Sequence, residues 1–255
     1  MSDLPPLRRA LDEWGEAGLV ARFWWRDDDA TTRTPALDRL LAVAGEYDAP
    51  LCLAVIPAAA EMDLEICLGN DTPRLTLAQH GYAHVNHAPA GEKKSEYPGH
   101  RNAEHVVAEL RRGRARLQGF CGVGPAFFVP PWNRIDPVHA PALRAAGFAA
   151  LSRFTDRGAG FKGFVTLDAH IDPVAWRLGG GLVAEDIWIA MLRTALENRL
   201  RGRVEATKPI GLLSHHLVHD EELWGFIEGF VRTVTDHPAA RWIDAGEYVT
   251  MREVL

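Results

Sequence analysis

The sequence contains few cysteines, no excess of basic charge and no long apolar run. Three cysteines among 255 residues, without C-x-x-C spacing, provide neither a disulfide framework nor a cysteine zinc site. A formal charge of -6 gives no basic face for nucleic acid, so no nucleic-acid partner is expected. The N-terminus lacks a signal-like apolar segment, and no window approaches about 18 consecutive apolar residues. We therefore expect no membrane partner and a cytoplasmic location.

The composition is that of an ordinary globular protein. Apolar residues make up 47% and charged residues 24% of the chain, which excludes a disordered or fibrous protein. The length suits one large domain over residues 1–255, because α/β barrels reach this size without dividing. The oligomeric state does not follow from these features.

Short apolar runs alternate with longer segments of helical period, which predicts an α/β protein with a mostly parallel sheet. The predicted strands are Ala21–Trp25, Leu51–Ile56, Leu75–Gln79, Ala126–Val129, Ala149–Leu151, Phe164–Leu167, Ile210–Leu213 and Arg241–Ile243. The predicted helices are Leu7–Glu16, Pro35–Tyr47, Asn102–Phe120, Pro141–Ala146, Ile187–Leu200 and Glu222–Thr235. About six to eight such units predict a barrel, complete or incomplete.

Two segments rich in glycine, proline and polar residues, Ala88–Gly99 and Asp156–Gly163, are predicted to be loops. The first directly follows a histidine cluster. It is either a rim or lid of a site or a plain surface excursion.

Three adjacent carboxylates, Asp27, Asp28 and Asp29, follow the first predicted strand. Adjacent carboxylates repel one another, so a metal ion or Arg26 should compensate their charge unless all face solvent. At the C-terminal end of a barrel strand they would point toward the usual active-site face. The alternative interpretation is a polar strand-to-helix turn in which Asp29 or Thr31 caps the next helix.

Three histidines, His80, His84 and His87, lie within eight residues directly after the third predicted strand. Neutral imidazole is the commonest transition-metal ligand, and a spacing of four residues suits one helical face or a tight loop. Gly81 stands where the H-E-x-x-H metalloprotease signature needs a glutamate, which excludes that class. The cluster favours a metal site over surface or core histidines.

A rigid loop is predicted where Pro130 and Pro131 end the fourth strand. Proline cannot donate to a sheet ladder and forces an extended exit, which fixes the position of Trp132. Such a loop suits a substrate wall, and it equally suits a simple strand terminator.

His215 should emerge at the C-terminal end of the strand Ile210–Leu213, where a general acid could reach a leaving group. His216 and His219 are predicted to support the site or to lie at the surface. Carboxylates and histidines that follow separate strands would converge at one barrel mouth. Two histidines and one carboxylate leave coordination positions open for water and substrate, which is typical of a catalytic metal site.

In this order of motifs the chain resembles the polysaccharide deacetylase family, carbohydrate esterase family 4, over nearly its whole length. The family has an Asp-Asp pair after the first strand, H-x-x-x-H after the third, a proline-aromatic loop and a late L-x-H. The matching segments here are Asp28–Asp29, His80–His84, Pro130–Asn133 and Leu213–His215. The resemblance implies a distorted (β/α) barrel of about seven units in a single domain.

The resemblance also implies a role for each matched residue. Asp28 would be the general base and His215 the general acid. Asp29, His80 and His84 would hold a divalent metal, with zinc favoured by availability and geometry and with cobalt, nickel or iron as alternatives. The residues expected at the substrate and its oxyanion are Trp132, Pro131 and Asn133, and those expected to support the site are Arg26, Asp27, His87, Asp172, Trp176 and His216.

The segment HIDPVAW resembles a fourth family motif loosely. Asp172 and Trp176 would line the site, with Asp172 orienting an arginine or a histidine. Alternatively, Asp172 before Pro173 is a helix cap.

Two departures from the family pattern concern the base. Val129 replaces the arginine that begins the family's proline loop and orients the base, and Asn133 stands where the family has glycine. Arg26, Arg134 and Arg153 are the candidates for the missing arginine.

The function predicted by this resemblance is that of a metal-dependent hydrolase that removes an N- or O-linked acetyl group from a small or oligomeric carbohydrate. Two alternatives remain open. One is a barrel that binds a carbohydrate or metabolite without turnover, which Val129 favours. The other is a hydrolase of a non-sugar C–N bond.

Overall fold

A computed structural model describes residues 4–64, 74–121, 124–155 and 161–253. Its strands are β1 Ala21–Ala30, β2 Leu51–Val55, β3 Leu75–His80, β4 Phe127–Val129, β5 Ala150–Leu151, β6 Val165–Thr166, β7 Ala169–Ile171, β8 Ile210–Ser214 and β9 Ala240–Trp242. Its helices are α1 Pro5–Glu16, α2 Pro35–Glu46, α3 Ala103–Cys121, α4 Ala140–Ala145, α5 Glu185–Leu200, α6 Glu221–Asp236 and α7 Ala245–Glu253. None of the described helices is both long and apolar enough to cross a membrane.

The described strands form one parallel sheet in the order β6-β5-β4-β3-β2-β1-β8-β7, with β9 paired to the start of β1. Beyond β5, Phe154 bridges Ala169 of β7, and the Ala169 N–H donates to the Arg153 carbonyl at 2.8 Å. These contacts link the two ends of the sheet, so the predicted distorted (β/α) barrel is confirmed. Only two residues separate β6 from β7, and counting them as one strand position gives about seven positions, the number predicted.

Every strand predicted from the apolar runs is present within a few residues, but β1 is longer than its apolar part. The prediction ended it at Trp25, whereas the strand continues through the carboxylates to Ala30. The alternative of a turn with Asp29 or Thr31 as a cap is wrong. Thr34 caps α2 instead, and its hydroxyl accepts the Leu37 N–H at 3.0 Å.

Two short elements were missed, the strand β7 and the helix α7. β7 is a three-residue strand, Ala-His-Ile, and its polar centre interrupts an apolar run. α7 has few apolar residues on its inner face, namely Ala245, Tyr248 and Val249. Of the second predicted loop, only residues 161–163 lie among those described, and residues 156–160 lie outside them.

Successive side chains of β1 point to opposite faces of the sheet, and this alternation positions the polar residues that follow. Phe23 and Trp25 pack outward in the core cluster that contains the helices. Trp24 packs with Cys52 and Val129 in the cluster that fills the barrel. With the same alternation, Arg26 and Asp28 share the inner face with Trp24, whereas Asp27 shares the outer face with Trp25.

Candidate metal centre and active site

Three side chains from separate segments meet at the C-terminal ends of β1 and β3. The Asp29 Oδ1 atom lies 3.1 Å from His80 Nε2 and 3.4 Å from His84 Nε2. One ligand atom from each residue lies within 4.8 Å of the other two. The structure therefore brings together the three predicted ligands, Asp29, His80 and His84.

The backbone at this site adopts conformations that L-residues seldom use. Seven described non-glycine residues have positive φ, and four of them line the pocket, namely Asp29, His84, Trp132 and Asn133. At Asp29, with φ of 74°, the pairing of β1 with β2 also shifts register, as at a β-bulge. Such conformations cost roughly 1–3 kcal/mol each and concentrate at functional sites.

The donor set fits a divalent metal ion. His80 Nδ1 donates to the Val129 carbonyl at 3.1 Å, which leaves the Nε2 lone pair directed at Asp29, as in histidines that ligate metals. Asp29 Oδ1 is buried and makes no hydrogen bond in the described structure, although both imidazoles are near. Burial opposes ionisation of Asp29, but the interaction with the neighbouring His80 outweighs burial and lowers the pKa of the Asp29 carboxyl group. The carboxylate is therefore ionised and available for a cation.

The turn between the two histidines is held by a buried carboxylate that the sequence did not single out. Glu96 is 1% exposed and accepts backbone N–H groups from Tyr82 and from Ala83, the latter at 2.8 Å. Gly81 makes this approach possible, because a Cβ at that position would overlap the Glu96 carboxylate and lie 2.6 Å from Pro131 Cγ. Burial raises the pKa of Glu96, although the hydrogen bonds from the two N–H groups act to lower it. The signal available in the sequence was only a glutamate inside a polar loop.

The segment Ala88–Gly99 thus forms a rim anchored to the site. Glu96 holds it against the histidine turn, and the Asn86 side chain accepts the Ser95 N–H at 3.0 Å. Lys94 from the same segment lines the pocket. The alternative of a plain surface excursion is wrong.

We expect Glu96→Ala to weaken metal binding by about 10- to 100-fold, the usual effect of removing a group that orients metal ligands. Glu96→Gln, which keeps one acceptor oxygen for the turn, should retain most of the affinity. Competition with a chelator of known affinity measures both variants, with Glu92→Ala, an exposed residue of the same rim, as the control. Wild-type affinity in Glu96→Ala would show that the turn keeps its shape without the carboxylate.

The predicted base, Asp28, is paired with Arg26 inside the barrel. Arg26 is fully buried, its Nε lies 2.9 Å from Asp28 Oδ1, and its Nη2 donates to Asp28 Oδ2 at 3.0 Å. Nη2 also donates to Asn133 Oδ1 at 2.7 Å, and Nη1 donates to Ser152 Oγ at 2.5 Å. Of the three candidate arginines, Arg26 thus contacts the predicted base directly. One of the two departures from the family pattern, Asn133, therefore accepts a hydrogen bond from this side chain.

Asp27 faces the other side of the sheet and contacts a different partner. Its Oδ1 lies 2.5 Å from His216 Nδ1, and its Oδ2 accepts from the Ser214 hydroxyl at 2.6 Å. Asp27 and His216 are both buried, and neither lines the pocket of the described residues. They form an ion pair that ties β1 to the end of β8. Burial disfavours the charged form of both residues, but the charge and hydrogen bond of the partner outweigh burial in each case. The pKa of Asp27 is therefore lowered and the pKa of His216 is raised.

These shifts predict a pH window for stability. A lowered carboxyl pKa contributes stability above the unfolded value of about 3.9, and that contribution is lost as the pH falls through the folded pKa. A raised histidine pKa contributes stability below about 6.5, and that contribution is lost as the pH rises through the folded pKa. We expect Asp27→Asn to lower the free energy of unfolding by about 3–5 kcal/mol between pH of about 3.9 and about 6.5, and by less at alkaline pH. Thermal unfolding in chelator across pH measures this, and a cost independent of pH would contradict the ion pair.

The opposite wall of the pocket is built from the ends of β7 and β8. His215 follows β8, and its Nε2 lies 4.0 Å from Asp28 Oδ2. The Trp176 ring stands edge-on to the His215 ring with centroids 4.8 Å apart, and Trp176 Nε1 donates to Asp172 Oδ2 at 2.9 Å. Asp172 also accepts the Val174 N–H at 3.1 Å, so it stabilises the local turn and lines the pocket. Its carboxylate also interacts electrostatically with His215, and burial raises the pKa of Asp172.

The proline loop forms the wall beside the histidines. The Trp132 ring lies 4.4 Å from the His84 ring, and Trp132 and Asn133 both line the pocket. Pro131 is buried beneath them against Gly81. The loop is therefore a wall of the pocket as well as a strand terminator. The pocket has a volume of about 580 Å³.

His87 was expected to support the site and does not. It is exposed on the rim, its N–H donates to the Ser95 carbonyl at 2.9 Å, and the charges nearest to it are those of Arg101 and Glu109. Because the chain turns at His84, where φ is 56°, His87 lies outside the pocket although it is only three residues further along the chain. His219 is half-buried, its Nε2 accepts the His215 N–H at 3.3 Å, and burial lowers its pKa to about 4.

Comparison with known proteins identifies the fold. No protein-family model and no curated protein matches the chain in sequence. Among solved structures, PuuE allantoinase superposes with a TM-score of 0.67 at 10% identity, over 92% of this chain and 90% of the other. A family 4 acetyl xylan esterase from Clostridium thermocellum, in complex with a cobalt ion, superposes with a TM-score of 0.59 at 11% identity, over 91% of each chain.

The chitin deacetylase from Colletotrichum lindemuthianum superposes with a TM-score of 0.56 at 14% identity, over 90% of this chain and 87% of the other. These superpositions cover nearly the whole barrel. The chain therefore has the fold of the polysaccharide deacetylases and family 4 carbohydrate esterases.

Proposed function

We propose that the protein is a metal-dependent hydrolase that removes an acetyl group from a carbohydrate. The observation that carries this proposal is the convergence of a metal-ligand triad, a carboxylate held by a buried arginine and a histidine in one pocket. Asp29, His80 and His84 supply the triad, Asp28 the carboxylate, and His215 the histidine. The fold shared with deacetylases and esterases supports the same class of reaction.

Asp29, His80 and His84 would hold the metal, which when bound makes water more acidic and polarises the acetyl carbonyl. Zinc is the expected ion because two nitrogens and one carboxylate oxygen suit it, and cobalt, nickel and iron are the alternatives. An acetyl xylan esterase of the same fold carries cobalt, which supports a divalent ion in this position.

The protein's own residues then divide the proton transfers. Asp28 takes the proton from the attacking water, and Arg26 fixes the orientation of its carboxylate. The water oxygen adds to the acetyl carbon, and the Trp132 N–H stabilises the charge that develops on the carbonyl oxygen. His215 donates a proton to the leaving nitrogen or oxygen as the bond to the acetyl carbon breaks. The products are acetate and a free amine or hydroxyl group.

Acetate release by the metal-loaded protein is the direct test. We expect chelation to abolish release and added zinc or cobalt to restore it, with substrates drawn from N-acetylglucosamine, its oligomers and O-acetylated xylan. Quantifying free amine beside acetate separates N- from O-deacetylation. No acetate from this set, with metal bound, would count against the proposal.

A hydrolase of a non-sugar C–N bond is the second candidate, and the superposition on an allantoinase favours it. Mass spectrometry of products from a metabolite extract would identify such a substrate by a gain of water without acetate. The third idea, binding without turnover, rested on Val129. The contact between Arg26 and Asp28 removes its main support.

A further inference from the structure

The wall of the pocket beside Trp132 carries two positive charges without acidic partners. Lys94 and Arg134 both line the pocket. Across the described parts of the chain, no carboxylate lies within 4.0 Å of either side chain. Like charges on one wall repel one another, and the bound metal would add to the positive potential.

Backbone contacts hold the two cations side by side. Arg134 Nη1 donates to the Lys94 carbonyl at 3.0 Å, and the Ser95 hydroxyl donates to the Arg134 carbonyl at 3.2 Å. Next to them, Tyr97 bridges Ile135 as a short parallel pairing. The rim and the proline loop are therefore joined where the cations stand, and the guanidinium keeps its remaining N–H groups for another acceptor.

The cationic wall lies close to the reacting centre and across from the acid side. The Lys94 ammonium is 5.9 Å from the centre of the Trp132 ring, whose other neighbour is the ligand His84. Asp172 and His215 stand on the far wall, since β7 and β8 lie on the opposite side of β1 from β3 and β4. The Asp172 carboxylate thus lies across the pocket from the two cations.

We infer that the substrate carries an anionic group, a carboxylate or a phosphate ester, which binds Lys94 and Arg134 while its acetyl group lies at the metal triad. This inference rests on the proposed function. A guanidinium presents paired N–H donors that match a carboxylate or phosphate, and an ammonium adds a point charge. The leaving amine would then lie toward His215 and Asp172, where the Asp172 carboxylate suits a nascent ammonium.

Matched substrates test the inference. N-acetylglucosamine serves as the neutral sugar, its 6-phosphate as the phosphate ester and N-acetylmuramic acid as the carboxylate. We expect the ratio of kcat/KM for an anionic over the neutral sugar to exceed ten in the wild type. Because hydrogen bonds between charged groups are worth about 1.5–3 kcal/mol, Lys94→Ala or Arg134→Ala should lower that ratio about tenfold. The two anionic sugars distinguish a phosphate from a carboxylate.

The controls separate charge from local structure. Lys93→Ala removes a charge from the neighbouring rim residue that does not line this pocket, and it should keep the wild-type ratio. Arg134→Lys keeps the charge and should keep more of the ratio than Arg134→Ala. Added salt should reduce the preference, because ions screen such contacts over about 10 Å at 0.1 M.

The two hypotheses fail differently. Acetate release with equal kcat/KM for neutral and anionic sugars would overturn the anionic substrate and leave the deacetylase standing. If no sugar releases acetate, the proposed function fails. Calorimetry on the metal-loaded protein then decides whether the pocket has an anion site. Tighter binding of the anionic sugars that is lost in Lys94→Ala supports the anion site, and equal binding overturns it.

Discussion

Replacing Asp29 or His84 by alanine should remove the metal and lower acetate release by at least about 10³-fold, equivalent to about 4 kcal/mol of transition-state stabilisation. Each variant leaves two ligands, and the Asp29 variant also removes the ionised carboxylate that two imidazoles surround. Metal content of the purified variants and kcat/KM on the best acetylated substrate measure the two effects.

His87→Ala is the matched control for the histidine variants. It removes an imidazole three residues from His84, but from an exposed position outside the pocket. It should keep both metal and activity. The assignment of the triad would be refuted if Asp29→Ala and His84→Ala bound one metal per chain and turned over like the wild type.

Arg26→Met should lower kcat by about 10²- to 10³-fold while changing KM little. Arg26 lies beneath the pocket rather than in its lining, so it acts through Asp28 and has no direct contact with substrate. Without it, the buried Asp28 carboxylate loses the arginine that contacts both of its oxygens, which also destabilises the fold by about 3–5 kcal/mol. Steady-state kinetics and denaturant unfolding measure these effects separately.

The position of Val129 offers a rescue experiment. Val129 packs in the same interior cluster as Trp24, and Arg26 lies on the same inner face of β1 as Trp24. Position 129 is also where the family 4 deacetylase pattern has its orienting arginine. We expect Arg26→Met combined with Val129→Arg to recover part of the lost kcat. A purely structural role for Arg26 would instead show full stability recovery with no gain in kcat, or wild-type kcat in the single variant.

Short apolar runs that alternate with segments of helical period were sufficient to predict the barrel, because the buried strands of a parallel sheet are continuous apolar runs. They failed at β1, where the strand runs through RDDDA to Ala30. A carboxylate run predicts a turn only if its charge is not compensated. Here Arg26 compensates Asp28 on one face, and His216 compensates Asp27 on the other, at a distance of 189 residues along the chain. Propensity over a short window contains no information about either partner.

The candidate ligands could be named from spacing, but their arrangement could not. Positive φ at Asp29 and His84 turns the ligands toward one point, and neither residue type requires that conformation. Glu96 was missed because its function depends on burial against the turn at Tyr82 and Ala83. His87 was included because linear spacing alone cannot distinguish an imidazole before a turn from one after it.

The contact of one guanidinium with both Asp28 and Asn133 has a consequence for how this chain could have diverged. We expect the arginine at 26, the amide at 133 and the aliphatic residue at 129 to be inherited together. Replacing Arg26 leaves Asp28 without its partner, replacing Asn133 removes an acceptor of Arg26, and enlarging Val129 crowds the buried interior. Homologous sequences should therefore fall into two groups. One group keeps arginine at the start of the proline loop with glycine at 133, the other has this triplet, and few lineages mix the two.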